Sequence, residues 1–149
     1  MPQDDFNKVA CDSNFEADFA RFLDNANDVA RFAKLPLQFG FSIPYSDSRG
    51  NLRHYYPDFV VVGESGVFYL LETKGLEDIE VEHKDRSATI WAEQATQLTG
   101  QEWRYVKVLQ GDFESLTPLA FADCARMAAV QQVDVRDMSN KSTHNLRRP

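Results

Sequence analysis

Two apolar runs near the middle of the chain restrict its fold more than any other segment. Residues 59–62 and 67–71 are β-branched, aromatic and aliphatic, and Gly63 and Gly66 bound the short polar segment between them. Runs of this composition that meet at a glycine-containing turn predict a β-hairpin. In a three-residue loop, Gly66 would take the left-handed position that follows a type I turn.

The length of the loop decides where the acidic residues at the two ends of this hairpin lie. A two- or four-residue loop would place Asp58 opposite Leu71 and send Asp58 and Glu72 to opposite faces. The three-residue loop 64–66 sets Asp58 opposite Glu72, with Cβ atoms ~4.5–5.5 Å apart. Lys74 then lies on the same face as Glu72, because side chains alternate along a strand. The same register pairs Val60 with Leu70 and Val62 with Phe68.

Two carboxylates beside a lysine suit metal-dependent cleavage of a phosphodiester. One or two carboxylates with substrate oxygens are a common Mg²⁺ site, and such an ion lowers the pKa of a bound water. The main-chain carbonyl of Thr73 would add an oxygen ligand, and Lys74 would hold the water or neutralise charge on the phosphorane. The alternative is a surface hairpin whose polar ends are only solvated.

A predicted helix over residues 14–34 carries a further acidic candidate. The stretch 13–16 has the form of a capping box, with Ser13 as N-cap and Glu16 reaching back, and Pro36 ends the helix. Glu16 therefore has two interpretations. It is a capping partner, or it adds a carboxylate to the metal site if this end of the helix packs beside the hairpin.

The remaining pattern completes an α/β domain. It predicts a strand at 37–45, a polar loop at 46–55, a helix at 84–97 with Trp91 as a packing anchor, a strand at 103–109, and a helix at 118–130 that buries Leu119, Phe121, Ala122, Ala125 and Ala129. The expected fold is a central mixed β-sheet of about four strands flanked by helices. Residues 12–130 form the predicted domain, 1–11 an N-terminal extension, and 131–149 a polar, disordered tail.

Basic side chains near the hairpin are candidates for DNA contacts, with an ordinary solvated surface as the alternative. They are Arg49, Arg53, His54, Lys84 and Arg86. The net charge of −7 disfavours tight, independent DNA binding, because phosphate contacts need Lys and Arg. We therefore expect other domains or subunits to deliver the DNA.

The bulk sequence predicts a cytoplasmic location. No apolar run approaches the ~20 residues that span a membrane, and the N-terminus lacks the pattern of a secretory signal. Cys11 and Cys124 are widely spaced, and free thiols in an intracellular chain are the simpler interpretation, although a disulfide stays possible.

Several motifs together carry a family resemblance over residues 12–125. They are Ser13 to Glu16, Tyr56-Pro57-Asp58-Phe59, Leu71-Glu72-Thr73-Lys74-Gly75, Trp91, and the run from Trp103 to Val108. The chain resembles nucleases of the PD-(D/E)XK superfamily, which have the restriction-endonuclease-like fold. More closely, it is similar to the C-terminal endonuclease domain of the Res subunit of type III restriction enzymes.

The resemblance implies roles, cofactors and partners. Asp58 and Glu72 would bind Mg²⁺, for which Mn²⁺ substitutes, Lys74 would be catalytic, and Glu16 would be the helix acid. The partners would be double-stranded DNA, a helicase-like motor domain and a modification (methyltransferase) subunit. The chain has no GxxxxGK[ST] loop, so ATP would act only through a motor domain that is absent here, and the chain is an excised fragment or a free-standing relative.

Two other functions remain open at this point. One is a catalytically silent module of the same fold that binds DNA or assembles with a partner subunit. The other is a related nuclease directed at RNA or at a particular DNA structure.

Overall fold

The structure, a computed structural model, describes residues 14–75 and 81–128. The predicted N-cap Ser13, the extension 1–11, the tail 131–149 and the predicted buried Ala129 lie outside these ranges. Of the two cysteines, Cys124 is described, and it is a buried free thiol. No helix in the described ranges is both long enough and apolar enough to cross a membrane.

The first predicted helix is only half helical. Helix α1 spans Asn14–Asn25, and strand β1 follows at Val29–Lys34. The prediction of one helix over 14–34 is wrong because the Asp/Asn-rich segment 24–28 favours a turn. The second half then takes its hydrogen bonds from a distant strand, which local periodicity does not reveal.

Residues 37–55 also differ from the prediction. A 3-10 turn at Leu37–Phe39 ends at Gly40, whose φ of 77° is left-handed, and only then does strand β2 begin, at Ile43–Ser46. The predicted polar loop contains strand β3 at Leu52–Tyr55, antiparallel to β2. Three consecutive residues of β3 are exposed and only Tyr55 is buried, so the sequence shows no alternation that would indicate a strand.

The central hairpin has the predicted register. Strands β4, Phe59–Gly63, and β5, Phe68–Lys74, pair Val60 with Leu70 and Val62 with Phe68. The Gly63 amide donates to the carbonyl of Val67 at 2.9 Å, and Gly66 has a φ of 89°. The three-residue loop with a left-handed glycine is therefore confirmed.

The second half of the domain follows the prediction until its end. Helix α2 spans Val81–Thr99, and strand β6 spans Trp103–Leu109, as expected. Helix α3, Gln110–Leu116, was not predicted, and the last described helical residues, 121–128 (helix α4), start later than expected. Leu119 and Ala122 are exposed rather than buried, whereas Phe121 is buried.

The four-stranded sheet has the order β1-β4-β5-β6, and β2 with β3 forms a separate ribbon. The first three strands are antiparallel, and β6 runs parallel to β5. This mixed sheet flanked by helices confirms the restriction-endonuclease-like fold. Strands β4 and β5, which carry the predicted site, are its two central strands.

Each face of the sheet carries its own core cluster. One holds α1 and α4 and is centred on Phe19, Phe59, Leu71, Val106 and Phe121. The other holds α2 and the β2–β3 ribbon and is centred on Leu70, Tyr55, Tyr105, Ala88 and Ala92. Trp91 packs here at ring-centroid distances of 5.4 Å from Phe41 and 5.3 Å from Trp103, so its predicted packing role is confirmed.

Candidate active site

The main chain of Asp58 is fixed from both sides. Its amide donates to the Leu71 carbonyl of β5 at 3.0 Å, and its carbonyl accepts from the Leu35 amide at 2.8 Å. Asp58 precedes β4, so these bonds continue the ladders of the two neighbouring strands. The backbone that carries this carboxylate is therefore part of the sheet rather than a free loop.

Thr73 holds the carboxylate of Asp58. Its amide and its hydroxyl both donate to Asp58 Oδ2, at 2.9 and 3.0 Å. The Thr73 residue is buried, so these bonds are shielded from water. Sequence reasoning considered only the Thr73 carbonyl and missed this contribution, which depends on how the two strand ends meet.

Lys34 lies between Asp58 and Glu16. Its Nζ is 3.4 Å from Asp58 Oδ1 and 3.2 Å from Glu16 Oε1, and its side chain is only 7% exposed. The same ammonium lies 5.4 Å from the centroid of the Phe59 ring. The sequence does not reveal this role of Lys34, because the pattern of residues 14–34 predicts a helix in place of the strand that ends with Lys34.

The position of Glu16 supports its second interpretation. Glu16 is buried in α1, and Lys34 joins it to Asp58, so this end of the helix packs beside the hairpin. The N-cap needed for the first interpretation, Ser13, lies outside the described residues.

Glu72 is the least satisfied group of the site. Within the described ranges, its Oε2 is buried and has no hydrogen-bond partner. Burial, and after it the nearby Asp58 carboxylate, raise the pKa of Glu72 from 4.5 to about 7 against the opposing effects of Tyr55, Lys84 and Lys74. A cation at this position would satisfy the free oxygen and reduce the repulsion between the two carboxylates.

Helix α2 and strand β6 supply polar side chains near Glu72. Tyr105 donates to Asp85 Oδ1 at 2.7 Å, and Lys107 donates to Asp85 Oδ2 at 2.6 Å. Lys107 is the register partner of Glu72 across the parallel pair. Burial raises the pKa of Tyr55 and of Tyr105 well above the usual value, so both hydroxyls stay protonated at neutral pH.

The donor set fits a small, hard cation with few protein ligands. Among the residues that the structure describes, no three His, Cys, Asp or Glu side chains are arranged as a metal-binding group. Two carboxylates with a main-chain carbonyl form a smaller set, and Mg²⁺ keeps several waters. The buried, unpartnered Glu72 Oε2 next to Asp58 is the feature that fits the ion.

Comparison with known proteins identifies the domain. A family model described as an endonuclease domain matches residues 3–124, which is most of the chain. The chain belongs to this endonuclease-domain family. No curated protein and no solved structure matches it. Family membership supports a nuclease of restriction-endonuclease-like fold and says nothing of its metal or its subunit.

The endonuclease domain carries three of its candidate DNA-contact residues on the β2–β3 ribbon. Arg49 and His54 are exposed, and the His54 ring lies 3.2 Å from the Ser42 hydroxyl. Arg53 donates through Nε to Asp47 at 3.0 Å while its side chain stays 60% exposed. The ribbon leads directly into Tyr55 and the active-site strand.

The other two candidates lie near the start of α2 and differ in setting. Lys84 is half-buried and close enough to Glu72 to influence its pKa. Arg86 is exposed. The structure thus brings Asp58, Glu72, Thr73 and Glu16 to one site, and it places Lys84 near Glu72. Lys74, the last residue of β5, is close enough to Glu72 to affect its charge.

Proposed function

We propose that this endonuclease domain hydrolyses DNA phosphodiester bonds with the help of Mg²⁺. The observation that carries the proposal is the register of the β4–β5 hairpin, which brings Asp58 beside Glu72 and leaves Glu72 Oε2 buried without a partner among the described residues. The family match supports the nuclease class. The metal and the residue roles are inferred from the geometry and the chemistry of the site.

Asp58, Glu72 and the Thr73 carbonyl would hold the ion, and Glu16, which Lys34 joins to Asp58, would bind one of its waters. When bound, Mg²⁺ polarises the scissile phosphate and lowers the pKa of a bound water. The chain's own contribution is to orient ligands. Thr73 fixes Asp58 Oδ2, so the second oxygen of that carboxylate keeps one direction.

Lys74 would be the catalytic lysine of this site. It is two residues beyond Glu72 on the same face of β5, at the open end of the strand. From there its ammonium would hold the attacking water or neutralise charge that develops on the phosphate. Mn²⁺ would replace Mg²⁺ in the same ligand set.

The setting we propose is the cleavage domain of a type III restriction enzyme Res subunit in the cytoplasm. The resemblance of the Tyr56 to Phe59 and Leu71 to Gly75 motifs supports it. Double-stranded DNA would be the substrate, a helicase-like motor would use ATP, and a modification (methyltransferase) subunit would complete the complex. The net charge of −7 supports delivery of DNA by such partners.

The same net charge also favours a second candidate, a silent nuclease-fold module that binds a protein partner. The two candidates differ in metal-dependent cutting. An RNA-directed or structure-specific nuclease would share the site and differ only in substrate, which a panel of RNA, duplex and branched DNA would reveal.

The test is nicking of supercoiled plasmid with Mg²⁺, with Mn²⁺ or with chelator, by the wild type and by Asp58→Asn and Lys74→Met. We expect metal-dependent nicking that falls by at least about 100-fold in both variants. The matched control is Asp18→Asn, an exposed acid on α1, which should cut like the wild type. Full activity in both site variants would refute the assignment.

If the chain alone cuts nothing, the endonuclease domain together with the motor domain is tested in the same assay. Cutting that appears only with the motor would support the restriction-enzyme setting. Absence of cutting there too would favour the silent module.

A further inference from the structure

The ammonium of Lys34 is shared by two carboxylates at a site that is expected to bind a divalent ion. Lys34 Nζ contacts Glu16 Oε1 and Asp58 Oδ1, and the exposed fractions of the three side chains are 7%, 9% and 17%. The three groups come from different parts of the fold: β1, α1 and the residue that precedes β4. The contact therefore depends on the tertiary fold.

The two oxygens of Asp58 have separate partners. Oδ2 accepts from Thr73, and Oδ1 is directed at Lys34. An ammonium at Oδ1 lowers the negative potential that a metal ion would meet at this carboxylate. It also restrains the carboxylate against rotation, since both of its oxygens are held.

A buried carboxylate needs a compensating positive charge, and removal of one partner of a buried ion pair is strongly destabilising. Without metal, Lys34 supplies such a charge to Glu16 and Asp58 together. With a divalent ion at Asp58, the ammonium becomes a like charge a few ångströms from it. Lys34 therefore stabilises the metal-free site and opposes entry of the ion.

We propose that Lys34 is a positioning residue that supplies, in the metal-free site, part of the positive charge that a divalent ion supplies when it binds. Lys34 thereby holds Asp58 and Glu16 in place and sets how tightly the site binds the ion. This inference rests on the proposed function, because it assumes that Asp58 is a metal ligand.

The test is the thermal unfolding of the full chain at pH 8, with chelator and across a Mn²⁺ titration. Lys34→Met should lower the metal-free Tm by roughly 10 °C, as expected for loss of a buried ion-pair partner. Its Kd for Mn²⁺ should be at least about tenfold lower than that of the wild type, because a neighbouring like charge has been removed. Mn²⁺ should consequently raise the Tm of Lys34→Met more than that of the wild type.

Two further variants separate charge from packing. Lys34→Arg keeps the charge and should respond to Mn²⁺ like the wild type. Arg31→Met removes an exposed positive charge from the same strand, so it matches the change in net charge. Its metal response should also equal that of the wild type.

A lower Tm in Lys34→Met with an unchanged Mn²⁺ affinity would overturn the inference and leave the proposed metal site intact. Absence of a Mn²⁺ response in both proteins would overturn the inference together with the metal site. If Lys34→Met does not fold in chelator, the double variant with Glu16→Gln replaces it. The double variant has lost one buried negative charge together with the lysine and should fold. If it binds Mn²⁺ no more tightly than Glu16→Gln alone, the inference is overturned.

Discussion

At the scale of single residues, Glu72 lies in an environment that opposes its charge. Burial and the Asp58 carboxylate raise its pKa from 4.5 to about 7, and its Oε2 is buried without a hydrogen-bond partner among the described residues. Between these two pH values the folded protein keeps a proton that the unfolded chain has released. Stability from this group is therefore lost as the pH rises from 4.5 to 7.

Glu72→Gln should remove this pH dependence, because the amide is neutral throughout. In the presence of chelator, the free energy of unfolding of Glu72→Gln minus that of the wild type should be roughly 2 kcal/mol higher at pH 8 than at pH 5, which means that the variant is relatively more stable at pH 8. Urea unfolding at both pH values measures it. A difference between the two proteins that does not change with pH would contradict the environment described for Glu72.

The residues of the site divide into those that a strand pattern can reveal and those that it cannot. Asp58, Glu72 and Lys74 follow from the alternation of side chains and from a turn with one glycine in the right place. Lys34 and the side chain of Thr73 act across elements. Their roles appear only when β1 and the end of β5 are set on either side of Asp58.

At the scale of elements, an acidic residue before β1 holds the last described helix. Asp28 accepts from the amides of Phe121 and Ala122, at 2.8 and 2.9 Å, so it caps the start of helical residues 121–128 from more than ninety residues away in the chain. The Asp28 carbonyl also accepts from the amide of Glu64 in the hairpin loop, at 2.9 Å. One residue thus connects the segment before β1 with the hairpin and α4.

Asp28→Ala should destabilise the protein by about 1–2 kcal/mol, the usual cost of losing a helix cap. Asp28→Asn keeps one acceptor oxygen and should lose less, and Asn27→Ala, at an exposed position in the same turn, should change stability little. Urea unfolding of the three variants tests the order. An Asp28→Ala protein as stable as the wild type would show that this long-range cap contributes nothing.

Sequence patterns predicted the elements whose information is local and failed where pairing is distant. The β4–β5 hairpin, α2 and β6 have clear alternation or helical spacing, and they form as expected. Strand β1 shows no regular alternation of buried and exposed residues, and its partner β4 lies about thirty residues later. Helix α3 follows β6 without an intervening loop, so its start carries no turn signal, and exposure of Leu119 follows from the later start of α4.

At the scale of the whole molecule, the site lies at the ends of the two central strands of a sheet that is covered on both faces. Aromatic packing around Phe19 on one face and the Tyr55–Tyr105 pair on the other fix the strand ends from both sides. Such support is what a site needs if its ligands are to keep their geometry before the ion and the substrate arrive.

The charge of the whole chain complements this arrangement. A net charge of −7 opposes the binding of DNA. A bound divalent ion would offset part of this negative charge at the place where the phosphate must approach. In the proposed function, both cleavage and approach of the substrate would therefore depend on binding of the ion.

Calorimetric titration of Mn²⁺ into the wild type, Asp58→Asn and Glu72→Gln measures that step directly. The exposed Glu64 in the loop of the same hairpin offers a matched control, Glu64→Gln. We predict saturable binding by the wild type and the control, weakened at least about tenfold in each site variant. Wild-type binding that survives unchanged in both site variants, or no saturable binding by the wild type, would contradict a metal site built by this hairpin.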